Sequence, residues 1–446
     1  MSNLAGLLFV CAFVFILKKR FMKGIQHIAV MMVVALGLFV KPSTVRGGVI
    51  DGVWTLTTAP YNNWVQIASS DNGGILIAAA DDLYVSTNSG AAWTPATNAP
   101  NTYWVCVCIS ADGSKMAAGD DGGSIYVSSD YGLTWRQTDA PVNYWESIAC
   151  SADGSKLAAA ALSDGLNNSA PGQIHLSQDS GATWVTPNAA ATNSQDYKQF
   201  WSAIASSSDG AKLVAANSSG SIYTSEDSGN TWWLTSAPNN NWSCVASSTN
   251  GNILVAGVMA GPIYTSTNAG ATWMLATNAP NAGWASVASS ADGSTLAAVQ
   301  WGGQVNISKD TGTTWQSYDV PNTFSASGIW GIALTKDGRK LVTGGDGPYG
   351  GPIYLLQPMP VLSVAATRTN IVVFWPSWAS GFVLQQTTDD LRSPNWSDLA
   401  TLPEIANGMN QIKFASQTNN QFFRLQFPTG NPPYWWPYSP PPIIGF

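Results

Sequence analysis

One segment, opening on a tryptophan, recurs seven times along this 446-residue chain and narrows the folds open to it more than any other feature. The copy WESIACSADGSKLAAA begins at Trp145, and variants begin at Trp64, Trp104, Trp201, Trp242, Trp284 and Trp330. Successive tryptophans lie 40, 41, 56, 41, 42 and 46 residues apart. A period of that length marks an array of supersecondary units, each covering its apolar face with its neighbours. Within a unit the pattern is that of strands. Ser147–Ser151 is apolar or alternating, Ala152-Asp153-Gly154 turns the chain, and Leu157–Ala160 is a second apolar run. A third run follows a variable loop, as in Ile125–Ser128. Charged residues make up only 10% of the chain, and Ser, Thr, Asn, Gly and Ala take their place, which suits short strands joined by polar turns.

Units of this length match the four-stranded blade of a β-propeller. The most specific signal follows the third strand: Ser128-Ser-Asp130-Tyr-Gly132-Leu-Thr134-Trp135. It recurs at Ser177–Trp184, Ser225–Trp232 and Ser308–Trp315, and with Asn for Asp at Ser86–Trp93 and Ser266–Trp273. This octapeptide resembles the Asp box, S-x-D-x-G-x-T-W, of sialidase-like and related propellers. Its physics is local: Asp or Asn accepts backbone N–H bonds inside a hairpin turn, Gly takes a positive φ, and Trp packs between sheets. Repeat and resemblance together imply an all-β, seven-bladed β-propeller of four-stranded blades over residues 47–357. The seventh unit has no box and no fourth strand, but Trp54–Pro60 matches the fourth-strand segment Trp93–Pro100. The N-terminal strand is therefore expected to complete the last blade beside Ile353–Leu355, leaving the ring without open edges.

The flanks differ in character. Residues 1–46 carry six bases, no acid and two apolar runs, Leu4–Leu17 and Ile28–Val40, each short of the roughly 20 residues a spanning helix needs. They read as an export signal with Met22 as the true start, so the protein is expected to be secreted, periplasmic or at the cell surface. A membrane would be touched only through an uncleaved signal. Beyond residue 46, 13 bases face 26 acids, a net charge of −13 that argues against nucleic acid as a partner. Residues 358–428 hold alternating runs (Ile371–Trp375, Phe382–Gln386, Gln411–Phe414, Phe422–Phe427), a pattern similar to a short immunoglobulin- or fibronectin-like β-sandwich of bacterial surface proteins. The tail 429–446, rich in Pro and aromatics, is expected to be extended or disordered. Cys106, Cys108, Cys150 and Cys244 lie in apolar strands without metal-ligand spacing and are expected to be buried free thiols. No metal or cofactor is implied.

Strand order decides which loops share a face. The Asp-Gly turns and the boxes join strands on one face, and the connections between units and the second-to-third-strand loops lie on the other. The box resemblance implies a sialidase, yet that family binds its substrate carboxylate with three arginines. Between Trp54 and Gln357 there are two, Arg136 and Arg339, both beside turns of the wrong face. A glycosidase needs two carboxylates about 5–9.5 Å apart. Asp81, Asp82, Asp120, Asp121, Asp164 and Asp346 lie on the connection face, where they read first as turn residues. His175 stands where other units have Tyr126 and Tyr223, a packing position, and His27 lies in the signal. No catalytic residue is assigned.

Departures from the repeat point to a ligand site. An additional aromatic precedes the tryptophan only in three consecutive units, as Tyr103, Tyr144 and Phe200, and the third unit has the longest loops, Ala161–Gly172 and Val185–Gln199. The expected site is Tyr103, Trp104, Tyr144, Trp145, Phe200 and Trp201, with Asp120, Asp121 and Asp164 as acceptors. The repeated tryptophans have a competing reading as packing between units. The function expected is a monomeric, non-enzymatic propeller binding a glycan or a protein. The alternatives are a glycoside hydrolase or lyase, and an extracytoplasmic assembly factor resembling the photosystem II assembly propeller.

Overall fold

The computed structural model describes residues 52–164, 172–187, 200–320, 328–345 and 350–358, and in the C-terminal region 361–366, 370–376, 383–388, 395–399, 401–406, 409–415, 422–426 and 444–445. All belong to the second of two compact units, Val49–Phe446. The expected export signal, most of both long loops, Asp346 and most of the tail fall outside these residues.

All regular structure among the described residues is β-strand. Seven antiparallel sheets follow one another. The second is typical: Trp104–Ile109, Met116–Asp120, Ile125–Ser128 and Arg136–Gln137, in chain order from inside to outside. The fourth, fifth and sixth open on Trp201–Ser206, Trp242–Ser247 and Trp284–Ser289 and repeat this order, as does the first from Gln66–Ser69. Second strands such as Met116–Asp120 and Leu213–Asn217 are buried along their whole length, which is why they read as unbroken apolar runs of small residues. Apolar clusters fill the gaps between consecutive sheets; Cys106 and Ala117 of the second meet Ile148 and Ala159 of the third. A Cβ at Gly119 would lie 2.7 Å from Sγ of its register partner Cys106 and 3.2 Å from Trp145 Cβ of the next sheet, so the Cys106 thiol is accommodated by glycine opposite it.

A cycle of hydrogen bonds joins the seven sheets at the first turn of each. The N–H of Asp71 donates to Ala111 O, Ala111 to Ala152, Ala152 to Ser208, Ser208 to Thr249, Thr249 to Ala291, Ala291 to Lys336, and Lys336 back to Asp71. The cycle closes where the seventh sheet meets the first, and there a salt bridge of 2.8 Å joins Lys336 to Asp71. The seventh sheet takes its outermost strand from the start of the described chain. Gly52–Leu56 pairs antiparallel with Ile353–Pro358, Trp54 opposite Leu356 and Thr55 opposite Leu355, as the half-repeats at the two ends led us to expect.

Three local expectations need correction. In the seventh unit the register partner of Gly345 is Ile329, so Ile329 and not Trp330 takes the place of the other opening tryptophans. A bulge follows this position in the second to seventh sheets, and Trp330 is the extra residue of the last one. In the third unit the first residues of the supposed loop are strand: Leu157–Asp164 pairs with Asn143–Cys150, making this the longest inner hairpin. Among the described residues that sheet has three strands, with one further bridge between Leu176 and Val185 at its outer edge. The C-terminal region holds two four-stranded antiparallel sheets around a shared core that includes Val373, Trp375, Leu384 and Phe423. The tail is not wholly unpaired, since Ile444–Gly445 adds to Phe422–Gln426.

Candidate functional site

The repeated tryptophans are structural. Trp64, Trp104, Trp145, Trp201, Trp242 and Trp284 are among the most buried side chains of the molecule. Each of the first five stands edge-on to the aromatic ring of its own third strand, 5.3–5.5 Å between centroids: Tyr84, Tyr126, His175, Tyr223 and Tyr264. The indole N–H of Trp145 donates to Gly123 O in the preceding sheet, and that of Trp64 to Gly351 O across the closing joint. Trp104, Trp145 and Trp201 therefore present no ring face to a ligand, and that part of the expected site is withdrawn. His175 fills its tyrosine position as a packing residue, held between Asn143 and Thr186 side chains, and burial keeps its ring down to about 4.

The remaining expected residues lie on the connection face. Tyr103 and Phe200 are exposed, and Tyr144 is half-buried. The N–H of Asp121 donates to Tyr103 O, and the Tyr144 ring lies over Gly122 of the next turn, where an added Cβ would be 3.1 Å away. The structure thus gathers Tyr103, Asp120, Asp121 and Tyr144 at the seam between the second and third sheets. Phe200 occupies the matching position in the fourth sheet, where its carbonyl accepts the N–H of Ser218. Asp164 ends the long hairpin opposite Asn143.

Three residues of this face escaped the sequence reading. Glu146 is the bulged residue after Trp145. Its side chain reaches solvent, yet the surrounding protein pushes its carboxyl up to about 7, Asp121 adding to the effect. Asp120 is buried beneath the same turn; desolvation raises its carboxyl, and one carboxylate oxygen has no hydrogen-bond partner. Trp301 and Trp330, both exposed, lie 5.4 Å apart between centroids with their rings tilted 46° where the sixth and seventh sheets meet. The signal for Glu146 was present: the residue after the tryptophan is Val65, Val105, Ser202, Ser243 or Ala285 in other units, and acidic only here.

Charge divides by face. Lys115, Lys156, Lys212, Lys336, Arg339 and Lys340 lie in the Asp-Gly turns, and Arg136 and Lys309 at the boxes. These are all the bases described between residues 52 and 358. The connection face carries Asp81, Asp82, Asp120, Asp121, Asp139, Glu146, Asp164 and Asp319 and, among the described residues, no base. On the turn face, a cavity of about 450 Å³ lies between the second and third sheets, lined by Lys115, Trp135, Arg136 and Asp179. Two of its charged groups are engaged: Lys115 Nζ donates to Ser180 Oγ, and the Asp179 carboxylate accepts from Thr183. The four cysteines among the described residues are free; Cys106, Cys108 and Cys244 are buried, whereas Cys150 is only half-buried, against expectation.

A closed cycle of antiparallel sheets around an axis defines a β-propeller, and comparison with known proteins agrees. No protein-family model matches the chain and no curated protein matches it. Similar solved structures include YCF48 bound to a D1 peptide, 17% identical with a TM-score of 0.52 over 69% of this chain and 97% of that one. YCF48 from Cyanidioschyzon merolae is 14% identical with a TM-score of 0.51, over 69% and 98%. The structure of U3-55K is 14% identical with a TM-score of 0.55, again over 69% and 98%. At such identity the likeness is one of fold.

Proposed function

We propose that this chain is an exported, seven-bladed Asp-box propeller, closed by its N-terminal strand and followed by a small sandwich, that binds a protein ligand on its connection face without catalysis. One observation carries the reading. The face opposite the boxes combines exposed rings of Tyr103, Phe200, Trp301 and Trp330 with acids and no described base. Exposed aromatics on a rigid scaffold are the usual anchors of a protein interface. The likeness to a propeller solved with a bound peptide lends support to a protein over a glycan. A role in assembling other exported proteins is a special case of the same reading, favoured by the likeness to YCF48.

The test is a pair of photo-crosslinking variants in the full chain, one at Tyr103 and one at Ser129 on the turn face, with a glycan array run in parallel. A protein adduct from the Tyr103 probe alone, with no saccharide retained, is the expected result. Adducts from Ser129 alone would place the ligand on the wrong face for this reading. A saccharide whose binding falls in Tyr103→Ala would replace the protein by a glycan.

A further inference from the structure

We infer that the cavity between the second and third sheets on the turn face binds a small organic acid, an apolar body ending in a carboxylate. This site is separate from the connection face and goes beyond the reading above. Two departures from the repeat fall on this one seam. The second residue of the box is Thr87, Gln178, Glu226, Thr267 or Lys309 in the other hairpins, and only here the shorter Ser129. A longer side chain at this place reaches into the seam: Lys309 Nζ donates to Gly338 O of the seventh sheet, and Glu226 lines the gap between the fourth and fifth. That gap, with Lys212, Ser225 and Gly251 where this one has Lys115, Ser128 and Gly154, holds only about 10 Å³, against about 450 Å³ here. The second departure is Arg136, which stands where the other hairpins have Thr94, Val185, Trp233, Met274 and Gln316.

Strand register decides where Arg136 points. It lies opposite Val127, and opposed residues of antiparallel strands share a face. Val127 packs with Cys108, Ala117 and Leu157 in the apolar group between the second and third sheets, so Arg136 faces the same gap. The cavity therefore has two zones. Cys108, Ala117, Val127 and Leu157 form a buried apolar wall, where water finds few hydrogen-bond partners. Ser129 and Arg136 stand exposed at its mouth. Of the other charged groups there, Lys115 already serves Ser180 and Asp153, and the Asp179 carboxylate accepts from Ser177 and Thr183. Among the described residues the Arg136 guanidinium has no hydrogen-bond or ion-pair partner. A guanidinium fork beside an apolar wall matches a carboxylate on a hydrocarbon body. The volume falls within the roughly 300–1,000 Å³ of small-molecule pockets.

Isothermal titration calorimetry of the full chain with octanoate, octan-1-ol and octylammonium tests this. Octanoate should bind at a single site, with the alcohol about tenfold weaker and the ammonium weaker still. Arg136→Gln should weaken octanoate about tenfold, the scale of a lost charge-assisted hydrogen bond, and leave the alcohol unchanged. Ser129→Gln introduces what the third hairpin carries as Gln178, so the box tolerates it. By filling the cavity it should abolish binding of octanoate and octan-1-ol alike. Thermal melting of both variants checks that the fold is kept. Arg339→Gln, on the same face but outside the cavity, should bind octanoate as the wild type does. Absence of heat with octanoate at millimolar concentration, or equal affinity for acid and alcohol, overturns the inference. So does a Ser129→Gln variant that binds unchanged, or a loss shared by Arg339→Gln.

Discussion

A single carboxylate organises each of four outer hairpins. Asp130 accepts from Ser128 Oγ at 2.8 Å, from the Thr134 N–H at 2.9 Å and from Thr134 Oγ1 at 2.6 Å, while Ser128 Oγ accepts the Gly132 N–H. Hydrogen bonds to the charged form favour ionisation, so these carboxyls lie below their ordinary range; those of Asp153, in a first turn, and Asp179 fall to about 2. A carboxyl depressed by folding contributes stability that is complete above its ordinary value of 3.8 and lost as pH falls through the folded value. Acid loosening should therefore set in below pH 4 and run through about 2. Asn88 and Asn268 make the matching bonds to Ala92 and Thr272 without titrating. Amide exchange of Thr134 and Thr183 should accelerate near pH 2, whereas Ala92 and Thr272 stay protected; uniform loss at all four would show global unfolding instead. Asp130→Ala should cost about 1–2 kcal/mol, the scale of lost bonds to a charged but partly solvated acceptor. Denaturant midpoints measure that loss. Glu146 behaves in the opposite sense. Its raised carboxyl makes charging it unfavourable in the fold, so Glu146→Gln should raise the melting temperature above pH 7 and leave it unchanged below about 4.5.

At the scale of one strand or turn, the repeat fixes backbone shape, and the sequence shows where it strains. The residue before the box glycine has positive φ in all six hairpins: Ser89, Tyr131, Ser180, Ser228, Ala269 and Thr311. Thr311, at φ 59°, is the β-branched member and the most burdened by this conformation. Thr311→Asn should stabilise by on the order of 1 kcal/mol, since Asn enters the left-handed region more readily. A melting temperature at or below that of the wild type would show that the threonine side chain earns its place by other contacts. These hairpins were legible in advance because a turn is specified by its own residues, and the octapeptide spells out acceptor, donors and positive φ together. The inner bulges were not. A bulge adds one residue to a strand without a local signature, so spacing assigned Trp330 to the place of Ile329 and hid both Trp330 and Glu146 among packing residues. Burial of Trp104, Trp145 and Trp201 was equally out of reach of spacing, because a ring at the end of an inner strand is exposed or buried according to how the next sheet leans over it. The aromatic positions just before them, Tyr103 and Phe200, stood out as exceptions to the repeat, and the structure leaves them exposed.

For the whole molecule, the decisive joint lies between the seventh sheet and the first, where the two ends of the cycle meet. Two devices act there and differ in weight. The Lys336–Asp71 ion pair is more than a third exposed on both partners, and such pairs contribute at most about 1 kcal/mol. The strand Gly52–Leu56 does more. It pairs along all five residues with Ile353–Pro358, Trp54 packs edge-on to Tyr354 at 6.4 Å, and the apolar group it joins includes Ile332, Leu341 and Leu356. Just beyond it, the Thr57 N–H donates to Ile353 O, and Ala59 is buried with Trp64 and Leu355. Losing this segment would expose an edge and uncover the outer side of a fully buried strand, a liability closed rings exist to avoid. Cutting the cycle should propagate, because each sheet is covered only by its neighbours. Deleting residues 48–60 should therefore abolish the cooperative thermal transition of all seven sheets and promote aggregation, while Lys336→Ala shifts the transition by no more than a few degrees. Calorimetry on both variants separates the cases. A deletion variant that melts like the wild type would mean that the inner cycle of hydrogen bonds from Asp71 to Lys336 holds the ring without its closing strand.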